Sequence, residues 1–313
     1  MIKIKHNNQS LDFSKAEWSG TDNQCSRQLT FEVPWDPYTK GFKNPKIKLG
    51  DMVSMYDGKK LLFVGQITNR EKQASIGAAS YTAMDFMNHL LRSTTTRKFK
   101  NMSPELITKS VCSEAGVGVS SLAKTKVNIP LLFAEDQSLY DIIIRAYRKA
   151  RAHTKKNYLP VMDGKKVSVV VKGADSGVIL DQGVDITDAS YSDNIENVVN
   201  TVKIVNEKGK KVGIIKADKS RKLYGIYQVT YTKEEKVDAK KAARALLEGA
   251  TKEASVTAIG RTSCVSGKSL TIRDKALGIS GKFYIAGDSH TFENGVHMMQ
   301  LDLEWRDTME SVS

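Results

Sequence analysis

The chain is short of the residues from which compact chemistry is usually built. Its 313 residues contain three cysteines, five histidines and six prolines, and aromatic residues make up 7%. Cys25, Cys112 and Cys264 lie far apart. With no Cys-x-x-Cys pair there is no disulfide framework to read. An odd, sparse set fits reduced thiols in a chain folded in a cytoplasm, each expected to behave as a small buried hydrophobe. No apolar run approaches eighteen residues, so no transmembrane helix is predicted. Met1 to Asn8 lack the apolar core of an export signal. Also missing are Gly-x-Gly-x-x-Gly, a Walker loop, His-Glu-x-x-His and an EF-hand loop. Trp18, Trp35 and Trp305 are well separated, which gives a sugar-binding groove little to stack on.

What is present in excess is positive charge: 48 basic against 35 acidic residues, a net +13. The excess is spread, with +4 in residues 1–95, +6 in 96–185 and +3 in 186–313. No basic arm exists of the kind that nucleic-acid binders concentrate at a tail or on one face. One dense patch stands out: Arg145, Arg148, Lys149, Arg151, His153, Lys155 and Lys156, with no acid from Ile142 to Met162. It reads either as contact with a polyanion or acidic partner, or as the solvated face and exit of a helix. The second reading is the better supported of the two.

The apolar pattern is mainly β. Leu29 to Val33 alternates up to Pro34, and apolar runs flank Asp57-Gly58 and Asp163-Gly164, each within the repeated word Asp-Gly-Lys-Lys. Both are predicted hairpins with the Asp and Gly at positive φ. Further hairpins are expected about Glu207–Lys210 and at Asn294-Gly295. In the last strand Met299, Leu301, Leu303 and Trp305 share one face, opposite Gln300, Asp302, Glu304 and Arg306. Helices are predicted over 82–91, from Ser103-Pro104-Glu105 to Gly116, from the Ser138/Asp141 cap into the basic patch, and over 238–254. The expected fold class is mainly β with α+β inserts, not the βαβ alternation of a parallel sheet.

Candidate chemistry is thin. Ser121-Leu-Ala-Lys124 and Ser192-Asp-Asn194 fit two words of the serine β-lactamases in the right order. That chemistry needs the serine at the start of a buried helix, whereas Ser121 sits in a predicted loop or strand, and no Lys-Thr-Gly follows. His290 and His297 flank the last turn and can meet across it. With no third ligand evident, a metal site is not predicted, and His297 is expected to be a partly buried barrel histidine. No two carboxylates are singled out for glycoside hydrolysis. No catalytic residue, cofactor or metal is therefore assigned.

The order of several short words carries a resemblance over nearly the whole chain. They are Leu49-Gly-Asp51-Met-Val53, Gly65-Gln-Ile67, Tyr81-Thr-Ala-Met-Asp85, Ser103-Pro-Glu-Leu-Ile107 and Asp136-Gln-Ser-Leu-Tyr-Asp-Ile-Ile143. Then follow Asp193-Asn-Ile-Glu-Asn-Val-Val-Asn200, Lys222-Leu-Tyr-Gly-Ile226, His290-Thr-Phe-Glu-Asn-Gly295 and Leu301-Asp-Leu303. In this order the chain resembles the baseplate or tail hub proteins of contractile phages and phage tail-like particles, the XkdQ/YqbQ-like and late control protein D-like hubs. The resemblance implies two tail-tube-like β-barrel domains, at 1–95 and 186–313, the second with a helical insertion near 238–254. It implies a mixed α/β middle domain at 96–185. It further implies a homotrimer whose six barrels join a sixfold tail tube, or a distal tube-end protein, above to a threefold central spike below. Baseplate wedge or tape-measure proteins are further partners implied. No spike or hydrolase segment follows Ser313, so the spike is expected to be a separate chain. The implied location is the baseplate of a virion or tail-like particle, with no membrane insertion. Two other readings stay open: a cell-wall peptidoglycan hydrolase of a tail particle, and a basic nucleic-acid or polyanion binder. For the last, and for interfaces generally, the candidate residues are Arg145, Arg148, Lys149, Arg151, Lys155 and Lys156.

Overall fold

A computed structural model describes residues 1–23, 26–235 and 237–305. Cys25 and Arg306, named above, lie outside them. The chain divides into two compact units, Met1–Ala189 with Ser255–Ser313, and Ser190–Ala254.

The first β block comprises β1 (Ile2–His6), β2 (Gln9–Leu11), β3 (Lys15–Thr21), β4 (Gln28–Trp35), β5 (Met52–Asp57), β6 (Lys60–Glu71) and β7 (Gly77–Asp85). Its strands alternate as their sequence does: Leu29, Phe31 and Val33 of β4 and Ala79, Tyr81 and Ala83 of β7 are buried. Phe31 lies opposite Tyr81 in the ladder and the two rings stack, centroids 5.6 Å apart. Large rings beside the small Ala16, Ala79 and Ala83 interdigitate, which is how a close-packed core fills.

The sheet pairing overrides the helix predicted over 82–91. Residues 82–85 complete β7, because Leu29 of β4 pairs with Ala83 and the alternation continues to the buried Asp85. Only α1 (Met87–Arg92) is helical, with Met87 and Leu90 buried. The Asp-Gly-Lys-Lys hairpins also differ from expectation in detail. Asp57 pairs with Lys60 and Asp163 with Lys166, so the two-residue loops are Gly-Lys. Only Gly58 and Gly164 have positive φ, at 59° and 58°, the glycine-first arrangement of II′ loops.

The middle of the chain adds β8 (Thr94–Met102), α2 (Pro104–Glu114), β9 (Gly118–Leu122), β10 (Ile129–Ser138), α3 (Leu139–Thr154), β11 (Tyr158–Asp163) and β12 (Lys166–Val171). These pack their own core around α3, whose Leu139, Ile142, Ile143, Ala146 and Tyr147 are buried. The caps are those the sequence announces. Ser103 Oγ accepts from Leu106 N, and Ser138 Oγ accepts from Asp141 N at 3.0 Å. Cys112 is buried here, its thiol pushed up to about 12 by burial. β9 and β12 pair in parallel.

The chain continues through β13 (Ala174–Asp181) and β14 (Ile186–Asn194) into the second unit. There β15 (Thr201–Val205) and β16 (Lys211–Lys216) form the predicted hairpin. After α4 (Asp218–Tyr224), which the pattern did not announce, β17 (Gln228–Thr232) pairs with β15 in parallel. The predicted 238–254 helix is cut short to α5 (Ala239–Ala245). Asp238 caps it as a good N-cap does, accepting from Lys240 N and Lys241 N. Beyond Leu246, Glu248 bridges to Val199, and the chain is extended again from Thr251. Long-range pairing here defeats alanine's helix propensity.

The last strands are β18 (Thr251–Ile259), β19 (Lys268–Asp274), β20 (Ile279–Glu293) and β21 (Val296–Glu304). Asn294 and Gly295, at φ 53° and 77°, make the predicted two-residue turn, and Met299, Leu301 and Leu303 are buried as expected. β20 is the longest strand and changes neighbours along its length. Its first half pairs with β19; after an irregularity between Ile285 and Gly287, its second half pairs with β3 over Thr21↔Gly287 to Lys15↔Glu293. The first β block thereby joins β13, β14 and β18–β21 in one 13-stranded sheet whose path runs from β14 to β2. It is open: among the described residues neither block closes into a barrel of its own.

Truncating the middle core tests the role given to α3. Ile143→Ala is expected to cost about 2–5 kcal/mol, and Ser138→Ala about 1 kcal/mol, by urea unfolding followed by circular dichroism. Equal, small losses would show that α3 is not the centre of this core.

Candidate functional site

The basic patch lies on α3 and its exit. Arg145, Arg148 and Lys149 are one helical turn apart and share a face, with Arg145 and Arg148 half-buried and Lys149 exposed. Arg151, Lys155 and Lys156 are exposed beyond them. Part of the cluster serves the helix itself. Arg145 Nη1 donates to Gln137 Oε1. Lys155 takes the left-handed C-cap position at φ 58°, its N–H donating to Arg151 O and its Nζ to Ala152 O. Cations at the carbonyl end of a helix also complement its dipole. The structure thus gathers the six candidates along one side and one end of a helix, and leaves Lys149, Arg151 and Lys156 facing solvent.

A second polar cluster, which sequence reasoning missed, lies where β3 meets β20. Asp288 has a fully buried side chain and takes both guanidinium nitrogens of Arg27 (Nη1 at 2.9 Å) and Ser266 N at 2.6 Å. Burial alone would raise the Asp288 carboxyl; Arg27's charge and hydrogen bonds outweigh it and hold the group far below the usual carboxylate range. Arg27 also lies 4.0 Å over the Trp18 ring. Behind it, His290 Nε2 meets Cys264 O at 2.9 Å, and His290 Nδ1 meets His297 Nε2 at 3.0 Å. His290 Nε2–H donates to the carbonyl, and one N–H···N bond joins the two rings. On the other side Asp85 accepts from Ser26 Oγ, Arg27 N and Met87 N, yet burial pushes its carboxyl up to about 6. No local sequence signal links Arg27 to Asp288, which are 261 positions apart.

The histidines meet as the sequence suggested, and His297 is half-buried, stacked on Phe292 at 4.2 Å. No group of three metal-ligating side chains occurs among the described residues. Ser121 lies exposed on β9 and its backbone N–H donates to Ser168 Oγ; Lys124 is exposed in the following loop, and Ser192 belongs to the other unit. The buried helix start that Ser-x-x-Lys chemistry needs is not there. Asp85, Asp288 and His290 of the β3/β20 cluster are buried, and Arg27 and His297 are partly buried.

The fold is similar to that of solved phage tail proteins. It superposes on the crystal structure of the 43 kDa tail protein of prophage MuSo2 from Shewanella oneidensis with a TM-score of 0.76, at 14% identity over 99% of both chains. In sequence it is 26% identical over 295 residues to the uncharacterized protein YqbQ of Bacillus subtilis (strain 168), covering 91% of this chain and 89% of that one. It is 26% identical over 249 residues to the phage-like element PBSX protein XkdQ of the same organism, covering 75% and 76%. The profile of the YQBQ-like family matches residues 16–304, and the chain belongs to that family. The order of short motifs pointed to the same family.

Two measurements probe the buried cluster. Burial and neighbouring His290 hold His297 down at about 4, against 6.5 unfolded. The unfolded chain therefore takes up a proton between those values that the folded chain does not. The contribution of neutral His297 is complete above pH 6.5 and is lost as the pH falls toward 4. Asp85 works in the opposite sense, its cost relieved as the pH falls from about 6 toward 3.8. The Tm difference between wild type and His297→Gln is expected to shrink from pH 7 to pH 5; a constant difference would refute the assignment. Arg27→Met leaves Asp288 buried and unpaired, at a cost of about 3–5 kcal/mol, and adding Asp288→Asn should recover more than half in urea unfolding.

Proposed function

We propose that this protein is a non-enzymatic structural hub of a contractile phage tail or tail-like particle, a trimeric ring joining a sixfold tail tube to a threefold central spike. The observation that carries the reading is the open sheet stitched through β3 and β20. Its path begins at β14 and ends at β2, and unpaired sheet edges are liabilities unless another chain covers them. Three copies edge to edge turn six β blocks into a closed, symmetric ring. In this reading residues 1–95 and 186–313 act as the two tube-like blocks, and residues 96–185 decorate them. The PBSX assignment of XkdQ and the tail-protein fold of the MuSo2 neighbour favour the same role.

The basic patch fits an outward-facing contact with an acidic surface of another particle protein, such as a wedge, tape-measure or spike chain. Lys149, Arg151 and Lys156 are the residues free to make it.

Mass in solution is the test, measured by light scattering for the chain alone and with its neighbouring tube and spike proteins. Three copies of 34.7 kDa give a species of about 104 kDa, formed either spontaneously or on adding a partner. A stable dimer that persists with partners would overturn the reading. Reversing Lys149, Arg151 and Lys156 to Glu is expected to change folding stability by less than about 1 kcal/mol while weakening partner binding in a salt-dependent way.

A further inference from the structure

A cleft of about 320 Å³ opens in the first unit where three distant stretches of chain meet. Lys60 and Leu61 at the start of β6 form one wall, β11 with the end of β12 another, and the 262–268 loop a third. Trp18 and Arg27 line it from the side of the buried cluster.

Three observations say what the cleft lacks. First, Trp18 is only 4% exposed, and its indole Nε1–H finds no acceptor among the described residues; nor does Arg27 Nε–H. Buried donors are nearly always paired, and leaving one unpaired costs about 1–3 kcal/mol. Second, Lys60 and Lys268 both line the cleft. Burial and the like charge of Lys60 lower the Lys268 ammonium, which is the environment a carboxylate would relieve. Third, the rest of the lining is largely aliphatic and runs out to an exposed rim, with Leu61, Val170 and Val171 each 40% exposed.

The shape of one wall argues for an extended peptide. Four consecutive residues of β11, Leu159 to Met162, line the cleft. Together these four residues give the cleft an extended wall about 10 Å long. β11 is an edge strand of its three-stranded sheet, paired on one side by β12. Its free edge includes Pro160, which has no N–H, so a segment laid along it would bond only to the flanking N–H and C=O groups.

We propose that this cleft takes an extended segment of a partner protein that carries an aliphatic side chain next to a carboxylate. The aliphatic group lies against Leu159 and Val171, the carboxylate lies between Lys60 and Lys268, and a main-chain carbonyl accepts from Trp18 Nε1. The inference rests on the cleft alone and stands whether or not the chain forms a ring.

Two capped hexapeptides provide the probes: acetyl-Gly-Val-Leu-Asp-Val-Gly-amide and the same peptide with lysine for aspartate. Each is titrated into the full ¹⁵N-labelled chain while the indole N–H resonances are followed, Trp18 being assigned with Trp18→Phe. The aspartate peptide is expected to shift the Trp18 signal and to bind at least about tenfold more tightly than the lysine peptide, equivalent to about 1.4 kcal/mol. Lys60→Glu with Lys268→Glu should reverse that preference, and these two positions can change without emptying the core. Should Trp18→Phe fail to fold, the double glutamate variant carries the test by itself. Equal binding of both peptides, or binding that leaves the Trp18 signal unmoved, would overturn the proposal. A Trp18 shift that grows with protein concentration alone would make the occupant a second copy of this chain, and would overturn it too.

Discussion

Seven residue pairs between β3 and β20 hold together parts of the chain that lie more than 260 positions apart. Without that ladder the first β block would have a free edge at β3, and the second half of β20 would keep a neighbour on one side only, β21. With it, strands from both ends of the chain share one sheet. The change of partner along β20 falls at the irregularity between Ile285 and Gly287, where Asp22 N donates to Ala286 O. A strand that turns from one neighbour to another must break its ladder somewhere, and a local irregularity is the usual device.

The polar groups at this joint follow from the same geometry. Where the register breaks, backbone and side-chain groups lose regular partners inside the fold and must be satisfied by others. Arg27, Asp288 and Ser266 do this on one side, and Asp85 with Ser26 does it on the other. Nearby, the buried Lys172–Asp22 ion pair ties the end of β12 to the end of β3. Buried pairs of this kind add little net stability over apolar packing, but breaking one strands a charge. They therefore select a single arrangement of the three stretches of chain. The cleft beside Trp18 is a by-product of that meeting, which explains why its lining comes from stretches far apart in the sequence.

Local structure was legible wherever one side chain decides it. The caps at Ser103 and Ser138, the Asn294-Gly295 turn and the alternation of Met299, Leu301 and Leu303 all stand in the fold as read. The helices over 82–91 and 238–254 were overread for one reason. Their residues favour a helix in isolation, but Ala83 and Glu248 have strand partners at Leu29 and Val199, far away in sequence. Pairing over such distances leaves no periodic trace. The basic patch was visible because it is contiguous, whereas the Arg27–Asp288 cluster and the Trp18 cleft were invisible because no two of their stretches adjoin.

The sequence by itself determined the class: a mainly β chain of the YQBQ-like family, with its charge spread along the chain and its apolar residues in short alternating runs. Those are properties of composition and of local period, which need no knowledge of contacts. Only the tertiary structure decided that strands from both ends of the chain share one open sheet, that the groups beneath it are locked in a buried network, and that a cleft with unpaired donors lies beside them. The physical reason is that a ladder between strands is specified by hydrogen bonds every backbone can make. Which strands use them is settled by burial in three dimensions, after the chain has brought its ends together.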